Sequence, residues 1–175
     1  HVRVASFVRE IPAERFTASL IDPMNSRSRL VEIQLPRGLL VIGRGAFCRC
    51  TSLSTIIIPS TVNVIDDRAF CHCKSLLEVD LPEGLVVISE RVFNDCYSLQ
   101  RISIPSTVRR INKSAFGMCR ALVTLDLPAG LKIIELRTFE GCSALRNVEI
   151  PTTVTEIRHF AFAICTGLGF RRPAQ

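Results

Sequence analysis

Residues 65–82 read IDDRAFCHCKSLLEVDLP, and this stretch returns, with substitutions, at a fixed step of 23 residues along most of the chain. Proline falls at 36, 59, 82, 105, 128 and 151, and phenylalanine at 47, 70, 93, 116, 139 and 162. Cysteine follows at 50, 73, 96, 119, 142 and 165, with leucine three residues after each cysteine. Four residue types repeating six times without slippage define a solenoid, in which each coil is one supersecondary unit stacked on its neighbours.

Working outward from the repeat, the phrase Leu76-x-x-Val79-x-Leu81-Pro82 matches Leu30-x-x-Ile33-x-Leu35-Pro36 and its four other copies. The residues before each proline alternate apolar, variable, apolar, which is the period of a strand with one buried face. Proline cannot donate to a ladder and ends the strand. Strands one coil apart run parallel, and six of them at ~4.8 Å make a sheet roughly 25–30 Å long. A second apolar pair follows each proline, as in Val62 and Ile65. The next segment, Asp66-Asp67-Arg68-Ala69-Phe70, reads as one or two helical turns on the outer side, with Asp66, Ser89 and Asn112 as caps. Phe70 and Cys73 then face inward at i and i+3. The post-strand phrases alternate between PxGL and PSTV or PTTV, so the Gly38, Gly84 and Gly130 turns are expected to use the positive φ that glycine takes cheaply.

Residues 1–29 do not follow the step, since Met24 and Arg27 stand where Phe and Cys belong. They are expected to cap the open hydrophobic end that every solenoid has, with a turn at Asp22-Pro23-Met24-Asn25-Ser26. The repeat array occupies 30–168. Beyond it, 169–175 form a degenerate end in which Gly169-Phe170-Arg171-Arg172-Pro173 replaces the next strand.

The chain has 175 residues, 47% of them hydrophobic, which is enough for one domain with its own core. The formal charge of +6 comes mostly from Arg, with only three Lys, and is spread along the chain rather than gathered in one run. That distribution points to a general basic surface and away from nucleic acid. No stretch of 18 or more apolar residues offers a membrane span. The chain begins at His1, so a signal or anchor is expected to lie outside it, if one exists.

The phrase at 81–108, LPEGLVVISERVFNDCYSLQRISIPSTV, resembles the BspA-like class of leucine-rich repeat, whose pattern is L-P-x-x-L-x-x-I-x-x-x-A-F-x-x-C-x-x-L. The resemblance covers about 30 to 168. It implies an α/β leucine-rich-repeat solenoid, curved, with a parallel sheet on the concave face and short helical turns on the convex face. It also implies protein–protein or surface recognition, on a cell surface or in secretion for many members. The many unpaired cysteines do not exclude an intracellular setting. The Asn ladder of other leucine-rich repeats is absent; Thr and Gly occupy that turn.

The column cysteines read as buried free thiols acting as small hydrophobes. Cys48 and Cys71 stand outside the column, one period apart, where stacking brings their Cα atoms to about 5 Å, within disulfide range. Cys48-x-Cys50 and Cys71-x-Cys73, with His72 nearby, invite a zinc reading. It is set aside because residues two apart on a helical turn point to opposite sides, so no metal site is expected. No phosphate loop, nucleophile elbow or metalloprotease motif appears, and the three histidines sit at a terminus or in outer segments. No enzyme activity, cofactor or small-molecule substrate is expected. Asn112-Lys113-Ser114 fits a glycosylation acceptor, a triplet common by chance.

Function is therefore expected on strand positions facing away from the core. One outward column holds Gln34, Ile57, Asp80, Ser103, Asp126 and Glu149, and its neighbour holds Glu32, Thr55, Glu78, Arg101, Thr124 and Asn147. Glu32, Gln34, Glu78, Asp80, Arg101, Ser103, Asp126, Asn147 and Glu149 are the candidate partner-binding residues, an acidic-leaning surface for a basic or polar protein. The alternative is a structural subunit, held in an assembly through its N-terminal segment and its open C-terminal edge.

Overall fold

The computed structural model describes residues 2–16 and 30–168. They form a stack of coils carrying two parallel ladders of short strands. The first ladder contains β1 (Val2–Arg3), β3 (Glu32–Gln34), β5 (Thr55–Ile56), β7 (Glu78–Asp80) and β9 (Arg101–Ser103), with β11 (Thr124–Asp126) and β13 (Asn147–Glu149) paired beyond them. The second contains β2 (Glu10–Ile11), β4 (Val41–Ile42) and β6 (Val64–Ile65), then β8 (Val87–Ile88), β10 (Arg110–Ile111), β12 (Ile133–Ile134) and β14 (Glu156–Ile157). The register steps by one repeat, as in Glu78 opposite Arg101 and Ile88 opposite Ile111. The expected sheet is present. A second ladder runs through Ile65 and its equivalents, the second member of the apolar pair after each proline, where the sequence did not mark a strand.

The parallel solenoid holds, but its helical turns do not: no helix occurs among the described residues. An α-helix is about 10–12 Å across with its side chains, whereas coils joined by strand pairing repeat every ~4.8 Å. The outer segment solves this by alternating its amides. Ala69, Cys71 and Cys73 donate three residues back along their own coil, to the carbonyls of Asp66, Arg68 and Phe70. Arg68, Phe70 and His72 donate instead to Glu90, Val92 and Asn94 of the next coil. The geometry requires two left-handed residues per coil, such as Arg68 (φ 57°) and His72 (φ 60°), or Arg91 (φ 53°) and Asp95 (φ 62°). The proposed caps act differently too. The Ser89 hydroxyl donates to the Ile65 carbonyl of the preceding coil at 2.6 Å, and an Asp66 carboxylate oxygen accepts the N–H of its neighbour Asp67 at 2.7 Å.

The core is columnar. Phe47, Phe70, Phe93, Phe116 and Phe139 are fully buried, and their rings stack with centroids 5.3 to 5.7 Å apart and planes within 8°. The cysteine column is buried, and it does more than fill space. Each thiol donates to the carbonyl of the phenylalanine one coil back, Cys96 to Phe70 at 3.2 Å and Cys119 to Phe93 at 3.3 Å. Burial pushes these thiols well up, so they stay protonated and keep the hydrogen they donate.

The N-terminal residues expected as a cap include a coil in full register. Val2 pairs with Ile33 and Ile11 with Ile42, Phe16 stacks on Phe47 at 5.3 Å, and the Phe16 carbonyl accepts the Cys50 thiol. The offset is 31 residues rather than 23, which hides the coil from a search at fixed period. The expected turn at 22–26 and the degenerate end at 169–175 lie outside the described residues.

The glycine reading is also corrected. Gly38, Gly84 and Gly130 do not take positive φ; among the described glycines only Gly45 and Gly141 do. A Cβ at 38 or 130 would meet the guanidinium of Arg9 or Arg109, the ends of flexible side chains that can move aside, whereas at 84 it would stand 3.1 Å from the Val62 carbonyl oxygen. The Thr half of the alternation locks the same turns. Thr107 donates to the carbonyls of Glu83 and Leu85, on either side of Gly84, at 2.8 and 2.7 Å. Thr61 and Thr153 do the same around Gly38 and Gly130.

Replacing Phe93 by Ala removes one ring from the middle of the stack and should lower stability by about 3–5 kcal/mol in chemical denaturation. A loss under about 1 kcal/mol would contradict a stacked, close-packed column.

Candidate functional site

The first ladder alternates as its sequence predicts. In β7, Glu78 and Asp80 are exposed while Val79 is buried, and the same pattern recurs in β9 and β11. Gln34, Glu78, Asp80, Arg101, Ser103, Asp126, Asn147 and Glu149 are all exposed on one face, with Glu32 half-buried at its margin. Strand pairing sets them side by side: Glu32 beside Thr55, Glu78 beside Arg101, Asp80 beside Ser103, Thr124 beside Asn147 and Asp126 beside Glu149.

The charges on this face are not equivalent. Arg101 forms an ion pair with Glu78 across the two strands. Both side chains are well exposed, so the pair contributes little to stability. Asp126 and Glu149 face each other with no ion-pair partner among the described residues. Like charges directly opposite on neighbouring strands are mutually unfavourable. The acidity read from sequence is therefore concentrated toward β11 and β13, while the Glu78 charge is largely answered.

One further residue stands out on this face. Ile57 is 85% exposed in a column otherwise made of polar side chains. It borders a shallow depression of about 730 Å³ whose lining includes Arg3, Gln34, Arg37 and Thr55. A second recess, of about 280 Å³, lies on its other side against Glu78 and Asp80. Its sequence signal is an aliphatic residue at an outward strand position.

On the opposite, outer side lies a groove lined by Arg68, Arg91, Arg137, Cys71, His72 and Asp95, among others. Cys48 and Cys71, predicted as neighbours, border this groove as free thiols. Hydrogen bonding of its thiolate by Cys71, helped by Arg49 and Arg68 against the opposing effect of burial, lowers the Cys48 thiol to about 7. The same coupling to Cys48, with burial, pushes Cys71 far up. Cys50 and Cys73 point into the core and donate to Phe16 and Phe47, away from this groove. His72 lies 3.4 Å from the Asp95 carboxylate, and burial lowers its basicity against the pull of that carboxylate. Asp95 also accepts from Asn94. In the 112–114 triplet, Ser114 is buried.

Comparison with known proteins agrees with this architecture. A family model described as BspA type leucine rich repeat region matches six copies over residues 24–119 and 87–169. A crystal structure of a T. pallidum leucine-rich repeat protein is 29% identical, with a TM-score of 0.85 over 96% of this chain and 77% of its own. One from Bacteroides ovatus is 31% identical, TM-score 0.79, over 89% of this chain and 38% of its own. A third, from Eubacterium ventriosum, shares the fold at 23% identity and TM-score 0.79, over 93% of this chain and 42% of its own. The chain thus spans well under half of the latter two proteins. Among curated proteins, none matches the chain.

With thiols reduced, alkylation by iodoacetamide should modify Cys48 first, with its rate half-maximal near pH 7. The thiolate is the reactive form, and protonated Cys71 and the buried column should resist until the chain unfolds. Peptide mass spectrometry across a pH series reads the order; Cys48 reacting no faster than Cys71 would contradict the hydrogen-bond direction.

Proposed function

We propose that this chain, which belongs to the BspA type leucine-rich repeat family, is a non-catalytic recognition module that binds a protein partner through the outward face of the first ladder, the side such a solenoid carries as concave. The observation that carries the reading is the unanswered Asp126–Glu149 pair on a face whose other end bears the bare Ile57 side chain. A cationic segment of the partner would relieve the repulsion, and an apolar side chain would cover Ile57. Solenoids use extended surfaces of this kind for binding. Charge on such a face contributes chiefly to on-rate and specificity, while a buried aliphatic anchor contributes affinity. Glu32, Gln34, Glu78, Asp80, Arg101, Ser103 and Asn147 would form the remainder of the contact surface.

A second reading rests on a separate observation. At the last described coil Ile150, Ile157, Phe160 and Ile164 are exposed. An apolar cluster of this kind invites cover by another coil or another molecule. In an assembly subunit it would be the docking edge.

Two measurements separate these readings. A display library of Lys/Arg-rich peptides should yield binders to the protein that are lost when Asp80, Asp126 and Glu149 are changed together to Lys, and weakened by Ile57→Ser. Equal enrichment on the charge-reversed variant would remove the outward face from consideration. Light scattering of the purified protein should give the 19.5 kDa monomer; a dimer or open-ended association dispersed by Phe160→Ser would put the assembly edge first.

A further inference from the structure

The repeat supplies a background against which local departures can be read. Two neighbouring columns run along the outer groove. The first holds Cys48, Cys71, Asn94, Gly117, Glu140 and Ala163; the second holds Arg49, His72, Asp95, Met118, Gly141 and Ile164. Among the described residues, groups able to ligate a soft or borderline metal come together at one place, where Cys71, His72 and Asp95 of successive coils meet and Cys48 lines the same groove one coil back. We propose that Cys48, Cys71, His72 and Asp95 form a zinc site that clips three adjacent coils together on the outer face.

Geometry supports the assignment. One ligand atom each from Cys71, His72 and Asp95 lies within 4.8 Å of the other two, and Cys48, one coil back, lines the same groove. Tetrahedral zinc with bonds of about 2.0–2.3 Å holds its ligand atoms roughly 3.3–3.8 Å apart. His72 Nδ1 and the Asp95 carboxylate already stand at 3.4 Å, and Cys48 completes the set by turning its side chain toward these three. The backbone beneath is pinned. The His72 N–H donates to Asn94 and the Asp95 N–H to Gly117, each at 2.8 Å, with both residues held at positive φ. Asp95 is further held by Asn94, as a ligating carboxylate usually is.

The donor set selects the metal. Two thiolates and an imidazole favour zinc over magnesium or calcium, which prefer all-oxygen shells. Four protein ligands fill a tetrahedron, which makes the site structural and leaves no open position for catalysis. Binding releases the Cys48 and Cys71 thiol protons to solvent. The ligand set with zinc carries a net negative charge, which Arg49 and Arg68 beside Cys48 and Lys74 near His72 offset. This differs from the sequence expectation of no metal, and from the set that expectation weighed, because Cys50 and Cys73 are committed to the core.

The test uses the reduced, metal-free chain titrated with Co²⁺ and then Zn²⁺. One equivalent of cobalt should bind with the intense thiolate-to-cobalt absorption of a tetrahedral site, and one equivalent of zinc should bleach it and raise the melting temperature. Cys48→Ser and His72→Gln should each weaken binding by more than the ~10–100-fold typical of losing an outer-shell partner. Cys48 is only half-buried, so that variant should fold, with circular dichroism as the check. Wild type and Cys48→Ser binding cobalt equally, or a cobalt spectrum without thiolate absorption, would overturn the proposal. So would a Cys48–Cys71 disulfide that forms on withdrawing reductant in the presence of equimolar zinc. None of these readouts involves the outward face, so this proposal and the recognition reading stand or fall separately.

Discussion

Every feature of the molecule answers to one constraint, the distance between coils. Strand pairing fixes that distance near ~4.8 Å, and everything else in a coil must repeat at nearly the same step. Phenylalanine rings comply by stacking almost parallel, at 5.3 to 5.7 Å through the centre of the array. A backbone polar group buried between coils must find its partner within its own turn or in the next one. The outer segment divides its amides between these two options, and the division forces a left-handed residue at two fixed places in each coil. At most of them the residue is Arg, His, Asp, Ser or Met rather than Gly. Each left-handed residue that is not glycine carries a conformational cost of order 1–3 kcal/mol, and it persists because hydrogen bonds on both sides over-determine it.

The same constraint explains why cysteine recurs where a plain hydrophobe would fill the space. A carbonyl of the phenylalanine turn lies buried and faces the next coil. A thiol at that position is small, apolar enough for the core, and able to donate, as Cys119 does to Phe93 and Cys142 to Phe116. Alanine would leave the carbonyl without this donor. An unsatisfied buried acceptor costs about 1–3 kcal/mol. The cysteine column is thus part of the hydrogen-bond system of the stack as well as part of its packing, and it says little about redox compartment.

Much of the fold was legible because it is periodic. The Pro, Phe, Cys and Leu columns announce coils, and the alternation at Glu78-Val79-Asp80 announces which side chains face out. What escaped reading depends on contacts between coils, which a single coil's sequence does not display. Asp66-Asp67-Arg68-Ala69-Phe70 has helix-compatible residues, and only the spacing to the next coil excludes the helix. Val64-Ile65 is too short to read as a strand alone; it becomes one by pairing with Val41-Ile42. The coil at residues 2–16 is displaced by eight residues from the period, so its register became visible only through its pairing. Gly38 looked like a residue chosen for its dihedral freedom, but its φ is not positive.

For the functional surfaces, the informative residues are those that break a column without any need from the stack. Ile57 interrupts a polar column and gains no packing from doing so. Asp126 and Glu149 sit opposite each other, where a cross-strand pair of like charge costs rather than contributes. Cys48 and Cys71 place thiols where later coils carry Asn94, Gly117 and Glu140, so the backbone does not demand them. The two kinds of departure lie on different sides of the coil. The first faces outward from the strands, where exposed side chains alternate with the core. The second lines the outer groove, where left-handed turns hold side chains of successive coils in fixed proximity. A solenoid can therefore carry a recognition face and a separate stabilising clip without conflict, because each coil contacts only its neighbours and the ladder keeps the two columns independent.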